Sequence, residues 1–425
     1  MKKIFTLLSA AAMTACMTQE IPAPNNALSA IAVTNTVSAE GFDMTRERLS
    51  INAPDRVDFE GLAAVGASRD IPVFEVYSVV RPRDLIPDGA TPVSDFAYTI
   101  TRTGNFSIKL RYDIDGTVYT DRFRFRGADT TPPVLLNAGD IRHRKGEAFD
   151  LSDYVGVGDY YDDHVTISYT GDVDTDTEGS YRIRCYASDT SGNTREWNST
   201  VTVYEPSQGG GYTPSGSFIS FDDFADAYGS MGELGIDISK WQGDEVDFAR
   251  LRDAGCKFVM MRIGADTNGI YEDICFDRNI REAKAAGLKV GVYFYTDSDS
   301  EQRVNEMCDW IIDKLDGESL DLPVSFDWEE FGHYQRYGMS LHRLNELYGI
   351  FEERMNDAGY EACLYGSKNY LTNVWDTEAK TWLAHYTKLG ATSNYEGDYF
   401  MWQMCSDGRI DGIDGDVDFD VLIHG

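Results

Sequence analysis

From Leu234 to the C-terminus the chain alternates short apolar runs with helical stretches, and this constrains its fold more than any other feature. The runs Leu234–Ile238, Lys257–Ile263, Lys289–Tyr295, Pro323–Glu329 and Glu361–Tyr365 are almost continuously apolar. Strands covered on both faces have that character. Between them lie helical stretches at Val246–Ala254, Phe276–Ala286, Ser300–Leu315 and Ser340–Ala358. Gly255, Gly287 and Gly359 stand where three of them stop, as helix ends favour. After Tyr365 the helices fade, and Thr381–Tyr386, Phe400–Met404 and Val417–Leu422 read as further strands. Repeated strand-then-helix units imply parallel strands under helices. Eight strands in roughly 190 residues imply a compact barrel, smaller than the usual eightfold βα fold. The competing doubly wound sheet lacks its Gly-x-Gly-x-x-Gly turn after the first strand.

The first half reads differently. Phe106–Tyr112 and Arg122–Phe125 alternate apolar and polar residues, as half-buried strands do. Residues 41–128 are expected to form one β-sandwich module and residues 129–205 a second. The second contains the strands His164–Tyr169, Tyr181–Tyr186 and Thr200–Val203, with a turn at Asp189–Asn193. The opening Thr131-Pro132-Pro133, the stretch Asp174–Tyr181 and Asp189-Thr190-Ser191-Gly192-Asn193 resemble bacterial immunoglobulin-like surface modules. Gly, Ser and Pro dominate Pro206–Ser217, so residues 206–230 are expected to be a linker ahead of a barrel over 231–425.

At the N-terminus, Lys2 and Lys3 precede an apolar stretch from Ile4 to Ala15. It is shorter than the roughly 20 residues a spanning helix needs, and it reads as an export signal over residues 1–16. Met13-Thr14-Ala15-Cys16 resembles the bacterial lipobox, with Met13 where Leu is usual. That resemblance implies lipidation at Cys16, a tether over 17–40, and a protein exported to the cell envelope, anchored by its lipid or else secreted.

Composition narrows the partners. Seventy-one acidic against 38 basic residues leave a net charge of −33. Such a chain lacks the basic footprint that nucleic acid or an anionic lipid surface demands. Membrane association is expected only through the lipid, and the protein is expected to be a monomer. The six cysteines after Cys16 contain no C-x-x-C pair, so no zinc site is expected, and buried free thiols are the default. Asp172, Asp174 and Asp176 alternate like a calcium loop, but Thr177 and Ile183 stand where that loop needs Gly and Glu. No H-E-x-x-H, G-x-S-x-G or phosphate-loop motif occurs.

The chemistry that remains belongs to carboxylates. Active residues of such barrels sit at the C-terminal ends of strands, where this chain places Asp237, Asp327, Glu329 and Asp418. Asp327 and Glu329 are two apart on a strand and point to the same side. Repulsion and burial raise the pKa of at least one such neighbour, which can then donate a proton near neutrality. Glycoside hydrolysis requires that pairing.

The residues from about Glu233 onward resemble family 25 glycoside hydrolases, the lysozymes that act as N-acetylmuramidases. The resemblance is carried by Gly235–Gly243 (G-I-D-I-S-K-W-Q-G), Phe258–Arg262, Asp273-x-x-Phe276-x-x-Asn279, Leu322–Glu329 (L-P-V-S-F-D-W-E), Leu364-Tyr365-Gly366, Trp382–Tyr386, Trp402-Gln403 and Gly412–Asp418, in family order. It implies a TIM-like barrel of five βα units followed by three strands, and the two modules ahead of it are expected to be immunoglobulin-like sandwiches. It implies Glu329 as general acid, Asp327 as the group that orients the 2-acetamido group, and Asp237 and Asp418 as supporting carboxylates. Tyr293, Tyr365, Trp382, Trp402 and Gln403 match positions lining the sugar groove. Many members of the family carry His where Phe294 stands. The implied substrate is peptidoglycan glycan, cut at the β-1,4 bond between N-acetylmuramic acid and N-acetylglucosamine, either through the acetamide with retention or through water with inversion. No metal or organic cofactor is implied. The alternatives are a non-catalytic cell-wall binding or adhesion protein and a chitinase-like hydrolase. A barrel without catalysis has no reason to keep both Asp327 and Glu329, and the longer chitinase strand motif D-G-x-D-x-D-x-E is absent.

Overall fold

The computed structural model describes residues 71–205, 218–375 and 378–424. The expected export signal, Cys16, the tether over 17–40, the start of the first module and residues 206–217 of the linker lie outside the described residues.

The first module pairs Val73–Glu75, Thr117–Ala128, Gly104–Ile114 and Thr91–Pro92 in one sheet, with a separate ribbon of Val79–Val80 and Tyr98–Thr99. Its long hairpin turns at Asp115 and Gly116, both at positive φ, the tight turn that matches strand twist. Ile100, Ile108, Leu110, Tyr112 and Phe125 fill its core.

Pro132 to the C-terminus forms a second compact unit. It begins with the immunoglobulin-like module. There Gly179–Ser188 and Thr194–Tyr204 form a hairpin, flanked by Thr166–Thr170 and by Ile141–Arg144, which runs parallel to the second arm. Val134–Asn137 and Gly156–Gly158 make a separate antiparallel pair. Ile141, Val157, Ile183, Cys185 and Val201 form its core.

The barrel follows. Its strands are β1 Gly232–Ile238, β2 Phe258–Asp266, β3 Lys289–Thr296, β4 Val324–Asp327, β5 Ala362–Ser367, β6 Thr381–Ala384, β7 Met401–Arg409 and β8 Val417–Ile423. Each pairs with the next, and β8 closes on β1. The first seven are parallel, whereas β8 is antiparallel to both neighbours. The parallel direction implied by the strand–helix repeats therefore holds for β1 to β7 and ends at β8, which no helix precedes. The link from Arg409 to Val417 is a hairpin loop, too short for the dozen or more residues of a parallel crossover.

The helices are α1 Phe221–Tyr228, α2 Phe248–Asp253, α3 Phe276–Ala286, α4 Glu301–Leu315, α5 Leu341–Asp357 and α6 Lys368–Asn373. Ser300 and Ser340 cap α4 and α5 by accepting from the backbone N–H of Arg303 and Arg343. Gly287 ends α3 in the left-handed conformation. Helix α1 occupies residues expected to be linker. Phe221, Phe224 and Tyr228 share one face, and Phe221 and Phe224 pack on Phe419 of β8 with ring centroids 5.2 and 4.8 Å apart. An i, i+3, i+7 apolar stripe with a Ser220 cap is a helix signal that the Gly/Ser/Pro run before it obscured.

The barrel interior is narrow. Phe258, Met260, Tyr365, Trp382 and Met401 fill one end, while alternate strand residues such as Val259 and Met261 face the helices. Two glycines make this possible. A Cβ on Gly235 would lie 2.5 Å from the Phe258 ring, and one on Gly291 would lie 2.5 Å from Met260 Sδ. Among the described residues no helix is long and apolar enough to cross a membrane.

Candidate active site

The strand pairing brings the carboxyl groups together. Asp237 on β1 and Asp418 on β8 are direct cross-strand partners. Asp327, the last residue of β4, is paired with Tyr295 of β3 and Tyr365 of β5. Glu329 follows on the loop beyond β4.

Asp237 and Asp327 are buried, at 6% and 5% exposure, while Glu329 and Asp418 keep part of their surface open to solvent. Burial is the main reason that all four hold protons more tightly than ordinary carboxylates. Asp237 is pushed up to about 6, with hydrogen bonds from Gln403 and Asp420 opposing the rise. Glu329 is pushed up to about 7 by burial, then by Glu330 and Asp237. Asp327 is raised well above the usual range by burial, then by Glu329 and Asp237, while the Arg262 guanidinium pulls it back. Asp418 is raised by burial, then by Asp237 and Glu329. These groups titrate as a set, because each new charge is resisted by its neighbours.

A fifth carboxyl, Asp420, is fully buried beneath them. Trp382 Nε1 donates to its Oδ1 at 2.8 Å, and its carboxyl is hydrogen-bonded to Asp237. Two carboxyls bond only when one carries a proton, so Asp420 and Asp237 share one. Gln403 completes this floor. Its Nε2 donates to Asp237 Oδ2 at 2.7 Å, while its Oε1 accepts from Tyr365 and Tyr386 hydroxyls at 2.8 and 3.0 Å. The two tyrosines thus orient the amide with its N–H toward Asp237.

On β2, the neighbour of β1, Arg262 is buried and paired with Asp273, Nη2 to Oδ2 at 2.7 Å. Asp273 also accepts from the backbone N–H of Lys240 and Cys275. Tyr295 donates to Glu330 Oε1 at 2.5 Å, occupying the carboxylate next to Glu329. Asp327 Oδ1 is buried with no hydrogen-bond partner among the described residues.

The expected sugar-groove residues divide. Tyr293 is half-buried, and its ring packs edge-on against Trp382 with centroids 6.0 Å apart. Tyr365 stands 4.8 Å from the same indole. Trp382 and Gln403 are almost wholly buried and hold Asp420 and Asp237, so they support the carboxyls from beneath. Trp402 is corrected outright. It is fully buried on the helix side of β7, packs on Tyr228 at 5.3 Å, and donates its indole N–H to the His385 carbonyl. Adjacent strand residues face opposite ways, so Trp402 and Gln403 cannot both face the barrel interior. Phe294 is likewise buried toward the helices, against Trp310.

Sequence reasoning passed over Asp420, Arg262 and Tyr386. The two-residue spacing that joined Asp327 to Glu329 also joins Asp418 to Asp420. Arg262, the charged residue inside the apolar run Phe258–Ile263, was an equally plain signal of a buried ion pair. The six cysteines of the described residues are buried free thiols, and Asp172, Asp174 and Asp176 lie in or beside a turn in which Asp174 accepts the Asp176 N–H.

Comparison with known proteins gives a consistent picture. The family model "Glycosyl hydrolases family 25" matches residues 236–413, and "Bacterial surface protein, Ig-like domain" matches 135–203. The uncharacterized protein YegX of Escherichia coli O6:H1 is 29% identical over 194 residues, 44% of this chain and 68% of that protein. Lysozyme M1 of Streptomyces globisporus is 26% identical over 202 residues, covering 44% of this chain and 67% of its own. The bacterial lysozyme structure from Streptomyces coelicolor aligns with 46% of this chain and 93% of its own, at 23% identity and a TM-score of 0.38. A family 25 glycosyl hydrolase from Bacillus anthracis aligns with 46% and 91%, at 18% identity and a TM-score of 0.40.

Proposed function

Residues 236–413 are a glycosyl hydrolase family 25 domain, and from that premise we propose that the protein is a peptidoglycan muramidase. It hydrolyses the β-1,4 bond between N-acetylmuramic acid and N-acetylglucosamine. The observation that carries this reading is the set of proton-holding carboxyls gathered from β1, β4 and β8 at one end of the barrel.

Glu329 is the proton donor. It is partly open to solvent and holds its proton up to about pH 7, so it can protonate a departing glycosidic oxygen. Asp327 supports the positive charge that develops on the sugar. Its orphaned Oδ1 is an acceptor for an amide N–H such as that of a 2-acetamido group. Asp237, held by Gln403 and sharing a proton with Asp420, adds to the same field, and Asp418 lies across from it. Tyr293 and Tyr365 supply aromatic edges beside the site.

The finer architecture belongs to this reading. The first module is a second immunoglobulin-like sandwich, supported by its likeness to the one that follows. In both, an early strand runs parallel to the second arm of a long hairpin. The barrel consists of five βα units followed by three strands. The protein is exported, monomeric, and anchored to the cell envelope by lipid on Cys16, a reading supported by the Met13–Cys16 motif.

The test is Glu329→Gln in the full chain. Release of reducing ends from peptidoglycan should fall by about 10²-fold or more while glycan binding persists. Mass spectrometry of the products of the unmodified protein should show reducing N-acetylmuramic acid ends. Undiminished turnover by Glu329→Gln removes that residue from the acid role.

A further inference from the structure

We infer that the immunoglobulin-like module positions the segment that follows Glu329, making the module a working part of the catalytic site. The inference rests on the muramidase reading above.

The segment is irregular. Between β4 and α5 lies a short 3-10 helix, Phe331–Arg336, kinked at His333. The Phe331 N–H donates to the Glu329 carbonyl at 2.7 Å. Trp328, between the two catalytic carboxyls, stacks its edge on Phe331 at 4.8 Å and on Tyr334 at 5.6 Å. The placement of Glu329 therefore depends on where Phe331 and Tyr334 sit. An irregular segment satisfies few of its own backbone groups and takes its rigidity from what packs on it.

The module is what packs on it. The Gln335 side chain makes three bonds to module backbone: Nε2 to the Ser152 and Val155 carbonyls at 3.2 and 3.0 Å, and Oε1 from the Val157 N–H at 3.1 Å. Arg336 pairs with Asp153 at 2.5 Å. Gly156 and Gly158 let the backbones meet. A Cβ on Gly156 would stand 1.7 Å from the Phe331 carbonyl oxygen, and one on Gly158 would stand 2.8 Å from the Tyr334 ring. The segment's far end is held as well, because the Leu341 N–H donates to the Asp159 carbonyl at 2.7 Å. Leu136 of the module is buried within the barrel's helix-side core. A spacer needs none of these contacts. Gln335 and Gly156 act through Glu329 and are positioning residues.

The experiment uses the full chain with Gln335→Ala, which removes the three bonds, and Gly156→Ala, which drives a methyl group against Phe331. Gly139→Ala, in the same module where an added Cβ meets nothing within 4 Å, is the control. The first two should lower kcat by about tenfold or more with KM within about twofold, and displace the alkaline limb of the kcat/KM profile that reports Glu329. Amide exchange at Phe331 and Leu341 should accelerate, and Gly139→Ala should match the unmodified protein. Unchanged kcat, alkaline limb and exchange in Gln335→Ala overturn the inference, as does a change confined to melting temperature. If Gly156→Ala does not fold, Gln335→Ala decides alone. If the unmodified protein releases no reducing ends from peptidoglycan, the muramidase reading fails. Exchange then decides the positioning contact by itself, with unchanged exchange at Phe331 and Leu341 overturning it.

Discussion

Asp420 has no role that its own position advertises, yet it sets the charge of the residue above it. By sharing a proton with Asp237 while accepting from Trp382, it places one negative charge where two would repel. Asp420→Asn retains an acceptor for the indole and a donor for Asp237, so fold and stability should survive. Asp420→Leu strands the Trp382 N–H in the interior and should cost about 1–3 kcal/mol in urea unfolding. Glu329 illustrates the opposite cost. Its folded pKa of about 7 lies above the ordinary carboxyl value, so the native state binds this proton more tightly than the unfolded chain. The stability this supplies is complete below about pH 4.5 and is lost as pH rises toward 7. Glu329→Gln should therefore raise the melting temperature at pH 8 and leave it nearly unchanged at pH 4.5, as scanning calorimetry can show.

At the scale of elements, the eight strands and helices α2 to α5 were legible because each carries a repeating local signal. Helix α5 runs from Leu341 to Asp357, against an expected Ser340–Ala358, since the serine cap and the terminal glycine mark both ends. Helix α1 was hidden by the linker before it, and the reversal of β8 is decided by loop length, which periodicity does not report. The interior glycines were equally silent. Gly291 reads as an ordinary strand residue, but the narrow barrel leaves its Cβ position 2.5 Å from Met260 Sδ and 2.7 Å from Leu322 Cβ. Gly291→Ala should destabilise the barrel by roughly 1–3 kcal/mol through overpacking, measurable as a lower urea midpoint at constant slope.

For the whole molecule, the acidic balance and the carboxyl cluster act at different ranges. The net charge of −33 is diffuse and screened within about 8 Å at physiological salt. The cluster is shielded from that screening by burial. Its proton donor should impose an alkaline limb on kcat/KM near pH 7, with activity falling about tenfold per pH unit above it. A lipid on Cys16 would add a separate property, anchorage. Cys16→Ala should move the protein from the membrane to the soluble fraction without altering turnover, and unchanged membrane association would refute lipidation.

The sequence by itself determined the strand–helix alternation, the strand ends that carry Asp237, Asp327, Glu329 and Asp418, and the resemblance that names a chemistry for them. Those properties are local, written in periodicity and spacing. Only the tertiary structure decided that Gln403 and Trp382 face inward to hold carboxyls while Trp402 faces the helices. It alone showed a fifth carboxyl beneath the other four, and the immunoglobulin-like module seated against the segment after Glu329. The physical reason is common to all three. Which side of a strand is interior, which buried charges share a proton and which backbones can approach closely are all set by the closure of the barrel and the packing of its neighbours, and residues far apart in the chain specify them jointly.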